Sequence, residues 1–83
     1  RLPSMPQRKP RPQRDIEKDY PRRQLIAKLR RLADCLETGK RFQIQVAGER
    51  ITVPPDAIVN IEHERGGGEE ELEFQLKWAL PKA

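Results

Sequence analysis

The sequence predicts an α+β fold in which one amphipathic helix packs on one face of a four-stranded antiparallel meander. Three observations predict it. Apolar residues recur with helical spacing in the first half of the chain, they alternate with polar residues in the second half, and short Gly- and Pro-containing connections separate the alternating segments. Strict alternation gives a sheet one dry face, and the helix is the apolar element available to cover it.

An Arg- and Pro-rich arm precedes these elements and spans about residues 1–18. It contains four prolines and almost no apolar side chain. Such a segment buries too little surface to offset the entropy of ordering it, so we expect a disordered, extended arm. It either stays a solvated tail or becomes ordered on a partner. The folded domain is expected over residues 19–80.

A helix is predicted over about residues 20–38, where six apolar residues lie on one stripe: Leu25, Ile26, Leu29, Leu32, Ala33 and Leu36. Asp19 suits the N-cap, Pro21 the first turn and Gly39 a left-handed C-terminal cap. Cys35 lies at the edge of the stripe. We expect it to be a small buried hydrophobe rather than a nucleophile, because no base is indicated near it.

Four strands are predicted, at about residues 41–47, 50–53, 57–65 and 70–78. Gly48 is expected to adopt positive φ in the first turn, and Pro54-Pro55 is expected to end the second strand. His63 falls at the end of the dry face, as a rim histidine or as an acid–base candidate. Trp78 continues the apolar positions of the fourth strand, either as a core-edge residue or as an anchor for a partner. The unpaired sheet edges are expected to offer docking sites for a second copy.

Composition excludes several classes of protein. The 83 residues include one Cys and one His, which excludes an internal disulfide and a Cys/His zinc site. No apolar run approaches the ~20 residues of a membrane span, and the first residues do not resemble a secretory signal, so we expect a cytoplasmic protein. No nucleophile–base spacing and no phosphate-loop motif occurs. We therefore expect no enzymatic activity, no cofactor, no metal and no membrane contact.

The net charge of +4 is distributed unevenly along the chain. Residues 1–41 carry thirteen basic and five acidic groups, whereas residues 42–83 carry four basic and eight acidic groups. This split indicates a small accessory protein that docks on a larger protein through its basic arm, together with a sheet edge or the Trp78 rim. The candidate partner-binding residues are Arg8, Lys9, Arg11, Arg14 and Trp78.

Nucleic-acid binding is the alternative function. The arm and one helix face could contact phosphates through Arg22, Arg23, Arg30 and Arg31. The predicted wet face of the sheet argues against it, because it carries Glu62, Glu64, Glu71 and Glu73 in place of an aromatic platform. These carboxylates are expected to be solvated, with weak cation binding or contact with a basic partner as alternatives.

Four segments and the helix between them resemble the amphi-Trp domain, a small prokaryotic family. The segments are RDIEKDY (residues 14–20), FQIQVAGER (residues 42–50), VP (residues 53–54) and LEFQLKW (residues 72–78). Their order and spacing carry the resemblance, which covers roughly residues 14–78. It implies a cytoplasmic protein that stands alone or is appended to other domains. It implies no activity and no catalytic residues, and residues 1–13 lie outside it.

Overall fold

A computed structural model describes residues 13–81 of the chain. It contains one helix and four strands: α1 (Arg22–Thr38), β1 (Phe42–Val46), β2 (Glu49–Val53), β3 (Ile58–Gly66) and β4 (Glu69–Lys77). The predicted α+β class, with one helix and four antiparallel strands, is confirmed. Each element begins and ends within two residues of its predicted bounds. Of the predicted arm, residues 1–12 lie outside the described residues.

The four strands form two hairpins and not one continuous sheet, which corrects the predicted four-stranded ladder. β1 pairs with β2, with Phe42 opposite Val53, and β3 pairs with β4. Two prolines, Pro54 and Pro55, separate the hairpins and lack the N–H that a ladder requires. The N–H of Ala57 donates to the Pro54 carbonyl at 3.1 Å and closes a turn between β2 and β3.

Both hairpins end in two-residue turns with positive φ at both positions. The φ values are 46° at Ala47, 84° at Gly48, 60° at Gly67 and 80° at Gly68. This geometry is that of a type I′ turn, whose twist matches the twist of the flanking strands. The prediction for Gly48 is confirmed. Ala47 carries a Cβ in a region that L-residues avoid, so the first turn is strained at that position.

The start of α1 differs from the prediction. Asp19 does not cap the helix; the N-cap is Pro21, which forms no side-chain cap bond. The Pro21 carbonyl instead accepts the N–H groups of Gln24 and Leu25, at 2.9 and 3.1 Å. Asp19 lies two residues before this position, too early to bond the first free amides. The helix ends as predicted at Gly39, with φ of 66°.

The core of the described residues is small. Only two apolar side chains, Phe42 and Val53, are buried, each 5% exposed, and they face each other across β1 and β2. α1 packs against β1, yet none of its residues is buried. Within residues 13–81, no helix combines the length and the hydrophobicity needed to cross a bilayer.

The predicted apolar stripe of the helix is only partly covered. Four of its residues, Leu25, Ile26, Leu29 and Leu36, are 43–46% exposed, and the half-buried residues of α1 are Lys28, Leu32 and Cys35. The expectation that this stripe seals the dry face of the sheet is therefore wrong. The hairpin β1–β2 supplies only two of the four strands of the predicted sheet, and it meets a flank of the helix rather than the centre of the stripe.

We predict that Ala47→Asn stabilises the protein by about 1 kcal/mol, because asparagine tolerates positive φ and Asn-Gly is a favoured type I′ pair. Chemical denaturation monitored by circular dichroism measures the change. An unchanged or lower free energy of unfolding would show that the turn at Ala47 is not strained.

Candidate interaction surface

An uncovered apolar groove lies between α1 and the hairpin β3–β4. Its volume is about 430 Å³, and Leu32 and Leu36 line its helical wall. The wall formed by the hairpin includes Val59, Ile61, Phe74 and Leu76. The described part of the chain therefore leaves a concave apolar surface open to solvent, which is typical of a site that binds another molecule.

Register places the apolar residues of the hairpin on one face. Val59 lies opposite Leu76, Ile61 opposite Phe74, and His63 opposite Leu72. The exposed fractions are 55% for Val59, 62% for Ile61, 64% for Leu72 and 66% for Phe74. We call the face made by these three opposing pairs the apolar hairpin face. It joins the exposed helix stripe at the groove, where both supply lining residues.

Two of the predicted contact arginines are part of the fold. Arg14 pairs with Glu49, with Nη1 and Oε1 2.6 Å apart, and its Nη2 donates to the Val46 carbonyl at 2.6 Å. Arg31 donates to the Gln43 carbonyl at 3.0 Å, and its guanidinium lies 4.9 Å from the centre of the Phe42 ring. Both side chains hold other segments on β1, so their first role is structural.

Side chains also cover the carbonyls of β1. The Tyr20 hydroxyl donates to the Gln45 carbonyl at 3.0 Å, and Arg31 occupies the Gln43 carbonyl. Carbonyls two residues apart point toward the same edge of a strand. The two bonds therefore occupy groups that a further strand on β1 would need, so this sheet edge is protected against pairing.

The other predicted basic residues fall into two groups. Arg22, Arg23 and Arg30 are exposed on α1 and form no ion pair or side-chain hydrogen bond with any other residue of 13–81. Arg8, Lys9 and Arg11 lie outside the described residues. Trp78 follows β4 directly and is 38% exposed, so it is better covered than Val59, Ile61, Leu72 and Phe74.

The predicted acidic residues lie together on the opposite face of the hairpin. Glu62 is opposite Glu73, and Glu64 is opposite Glu71. Gln75 Nε2 donates to Glu62 at 2.7 Å and to Glu73 at 3.0 Å. A hydrogen bond with Glu62 and the charges of Glu62, Glu71 and Glu73 raise the pKa of Glu64. Mutual repulsion of these exposed carboxylates therefore costs stability when all are ionised.

His63 lies in a small polar cluster near the tip of the hairpin. Its Nε2 is 2.7 Å from Glu70 Oε2, and Arg65 Nη2 donates to the same oxygen at 2.9 Å. These bonds, first with His63 and then with Arg65, lower the pKa of Glu70. The cluster is exposed, which matches the expectation of a rim histidine. Cys35 is a free, half-buried thiol in α1.

Sequence reasoning missed the open groove. The alternation and the helical spacing identified every apolar residue that lines it, but not which of them would meet. The signal in the sequence was the Pro54-Pro55 pair, because two residues without N–H groups separate the strands into independent hairpins.

We predict that Arg31→Ala lowers the free energy of unfolding by about 1–2 kcal/mol, since it removes one hydrogen bond to a backbone carbonyl and one cation–π contact. Arg23→Ala and Arg30→Ala are matched controls on the same helix and should change it by less than about 0.5 kcal/mol. Urea titration of the three variants provides the measurement. Equal losses in all three would contradict a structural role specific to Arg31.

We predict that Glu64→Gln raises stability at neutral pH. The pKa of Glu64 is raised in the folded protein, so stability falls as the pH rises above the ordinary range of a glutamate, and the variant removes that loss. The gain should disappear in acid. Glu70→Gln should act in the opposite direction, because the pKa of Glu70 is lowered and its ionised form stabilises the fold. Thermal unfolding across the pH range tests both signs, and a destabilised Glu64→Gln at neutral pH would refute the first.

Comparison with known families confirms the resemblance that the order and spacing of the four sequence segments indicated. A family model described as the Amphi-Trp domain matches residues 10–83. Searches of curated proteins and of solved structures gave no significant match. The family match extends through α1 and both hairpins, and so includes the groove, the acidic face of β3–β4 and the exposed arginines of α1. The chain therefore belongs to the amphi-Trp domain family.

Proposed function

We propose that this protein is a non-enzymatic accessory protein that docks on a larger, acidic protein partner. The basic arm and the exposed arginines of α1 make the main contact, and Trp78 makes a second one. The carrying observation is that Arg22, Arg23 and Arg30 are exposed and find no acidic partner among residues 13–81. Unpaired guanidinium groups on one helix favour a partner with carboxylates.

The anchoring of Arg14 supports a role for the arm. Arg14 bonds the Val46 carbonyl and Glu49, so this described residue of the arm is held beside the β1–β2 turn. The arm is polar, rich in proline and basic, which suits a segment that gains order on a partner. A segment of this kind wraps a large surface at modest affinity because ordering it costs free energy.

The distribution of titratable groups supports a binding role. Within residues 13–81 no polar or charged side chain is buried. The two carboxyl groups with shifted pKa values, Glu64 and Glu70, are on exposed surface. Their pKa shifts come mainly from neighbouring charged groups, as in structural ion-pair networks, and not from burial. A cytoplasmic location and independence from membranes complete the proposal.

Nucleic acid is the alternative partner, because the same arginines can contact phosphates. The acidic face of β3–β4 favours a protein over nucleic acid, since Glu62, Glu64, Glu71 and Glu73 repel a phosphate backbone. The bonds to its carbonyls disfavour the edge of β1 as the second contact, and we assign that contact to Trp78.

We predict that neutralising the arm with Arg8→Gln, Lys9→Gln and Arg11→Gln strongly reduces capture of a protein partner from lysate of the source cell. The variant removes the arm's share of the charge pairing and leaves only the exposed arginines of α1. The matched control is Lys40→Gln, Arg41→Gln and Arg50→Gln, which removes three positive charges elsewhere and should retain the partner.

Capture is measured with and without nuclease, and in parallel with a chain lacking residues 1–13. A partner that survives nuclease and needs the arm supports the accessory role. Recovery that vanishes with nuclease would replace it with nucleic-acid binding. A partner retained equally by the arm variant and by its control would refute the role of the arm.

A further inference from the structure

We propose that two copies of this chain associate through the apolar groove, with the hairpin β3–β4 of each copy packed against α1 of the other. The proposal concerns the groove and the apolar hairpin face, not the arm, and so goes beyond the docking function. Three observations carry it: the amount of apolar surface left open, the opposite charges of the two elements, and the isolation of the hairpin.

The open apolar surface has the size that a dimer needs. Eight side chains on the two elements are 43–66% exposed: Leu25, Ile26, Leu29, Leu36, Val59, Ile61, Leu72 and Phe74. Together they leave apolar area on the order of 500 Å² in each chain. A standard interface buries about 800 Å² per partner, of which roughly 60% is apolar. The open apolar area is of the same order as the apolar part of such an interface, so a second copy is large enough to cover it.

The net charges of the elements favour contact between the hairpin β3–β4 of one copy and α1 of the other. β3 and β4 together carry six acidic and two basic side chains, whereas α1 carries five basic and two acidic ones. Packing a hairpin on a second hairpin brings two negative elements together. Glu62, Glu64, Glu71 and Glu73 lie on the face away from the apolar hairpin face, so they stay on the outside when a hairpin packs on the helix of the other copy. The opposite net charges of the two elements still attract a hairpin to the helix of the other copy, and this favours a second copy as the occupant.

The hairpin needs such cover. β3 and β4 are nine residues each, and within residues 13–81 they pair only with each other. A two-stranded hairpin is marginally stable in water until its apolar face packs on another element. Within its own chain the groove brings Leu32 and Leu36 near the base of the hairpin, while Leu72, toward the tip, does not line the groove.

Reciprocal packing also closes the assembly. Each chain offers one hairpin and one helix stripe, so a two-fold pair uses both elements of both copies. Open-ended association through strand edges would not be limited to two copies. On β1 that mode is disfavoured by the bonds from Tyr20 and Arg31 to its carbonyls.

The test is sedimentation equilibrium of the purified full chain from low to high micromolar concentration. We expect a concentration-dependent mass that reaches twice 9.7 kDa and no more. Ile61→Gln should raise the dissociation constant about tenfold or more, because it places an amide in the groove. Ile58→Gln changes the same residue type on the same strand but on the other face, where Ile58 is 69% exposed, and should leave dimerisation unchanged.

A monomeric wild-type chain at all concentrations would overturn the proposal. So would equal effects of Ile61→Gln and Ile58→Gln, or species that grow beyond two copies. Circular dichroism verifies that each variant is folded. A second measurement is independent of the variants: in mixed dimers of isotope-labelled and unlabelled chains, nuclear Overhauser contacts are expected between the Phe74 ring and the Leu25 or Leu29 methyls. Contacts from hairpin to hairpin alone would refute the arrangement.

Discussion

The apolar face of the hairpin β3–β4 needs a cover, and the rest of the structure depends on how that need is met. Phe42 and Val53 are the two buried apolar residues of the described chain, whereas Ile61, Leu72 and Phe74 are each more than 60% exposed. Burial of apolar surface is the main favourable term in folding. Association that covers this exposed apolar surface would therefore stabilise the folded chain.

The two hairpins differ in the contacts that they receive from residues outside their strands. β1–β2 is held by side chains from outside the strands: Arg14 and Tyr20 before the helix, and Arg31 within it. These contacts protect the outer carbonyls of β1, and Arg14 holds a residue of the predicted arm against the first hairpin. β3–β4 has no comparable support among residues 13–81, and presents one apolar and one acidic face. The first hairpin is therefore the better supported of the two, and the second is the one that we propose to contact another copy.

Local features of the fold were predictable because they depend on short-range chemistry. Helical spacing from Leu25 to Leu36, the turn at Gly48, the helix end at Gly39 and the strand end before Pro54 all follow from the sequence. The relative placement of the elements was not predictable, because alternation shows which residues share a face but not what covers it. Arg14 and Arg31 show the same limit: their charge predicts an external partner, but both bond carbonyls of the same chain, and Arg14 also pairs with Glu49.

Amide hydrogen exchange measured at several protein concentrations tests the central claim most directly. If association covers the apolar hairpin face, protection of amides in β3 and β4, such as those of Glu62 and Glu73, rises with concentration, because opening the hairpin then requires separating the copies. Protection in β1–β2, around Phe42 and Val53, should rise much less. Protection of β3–β4 that is independent of concentration would contradict the account.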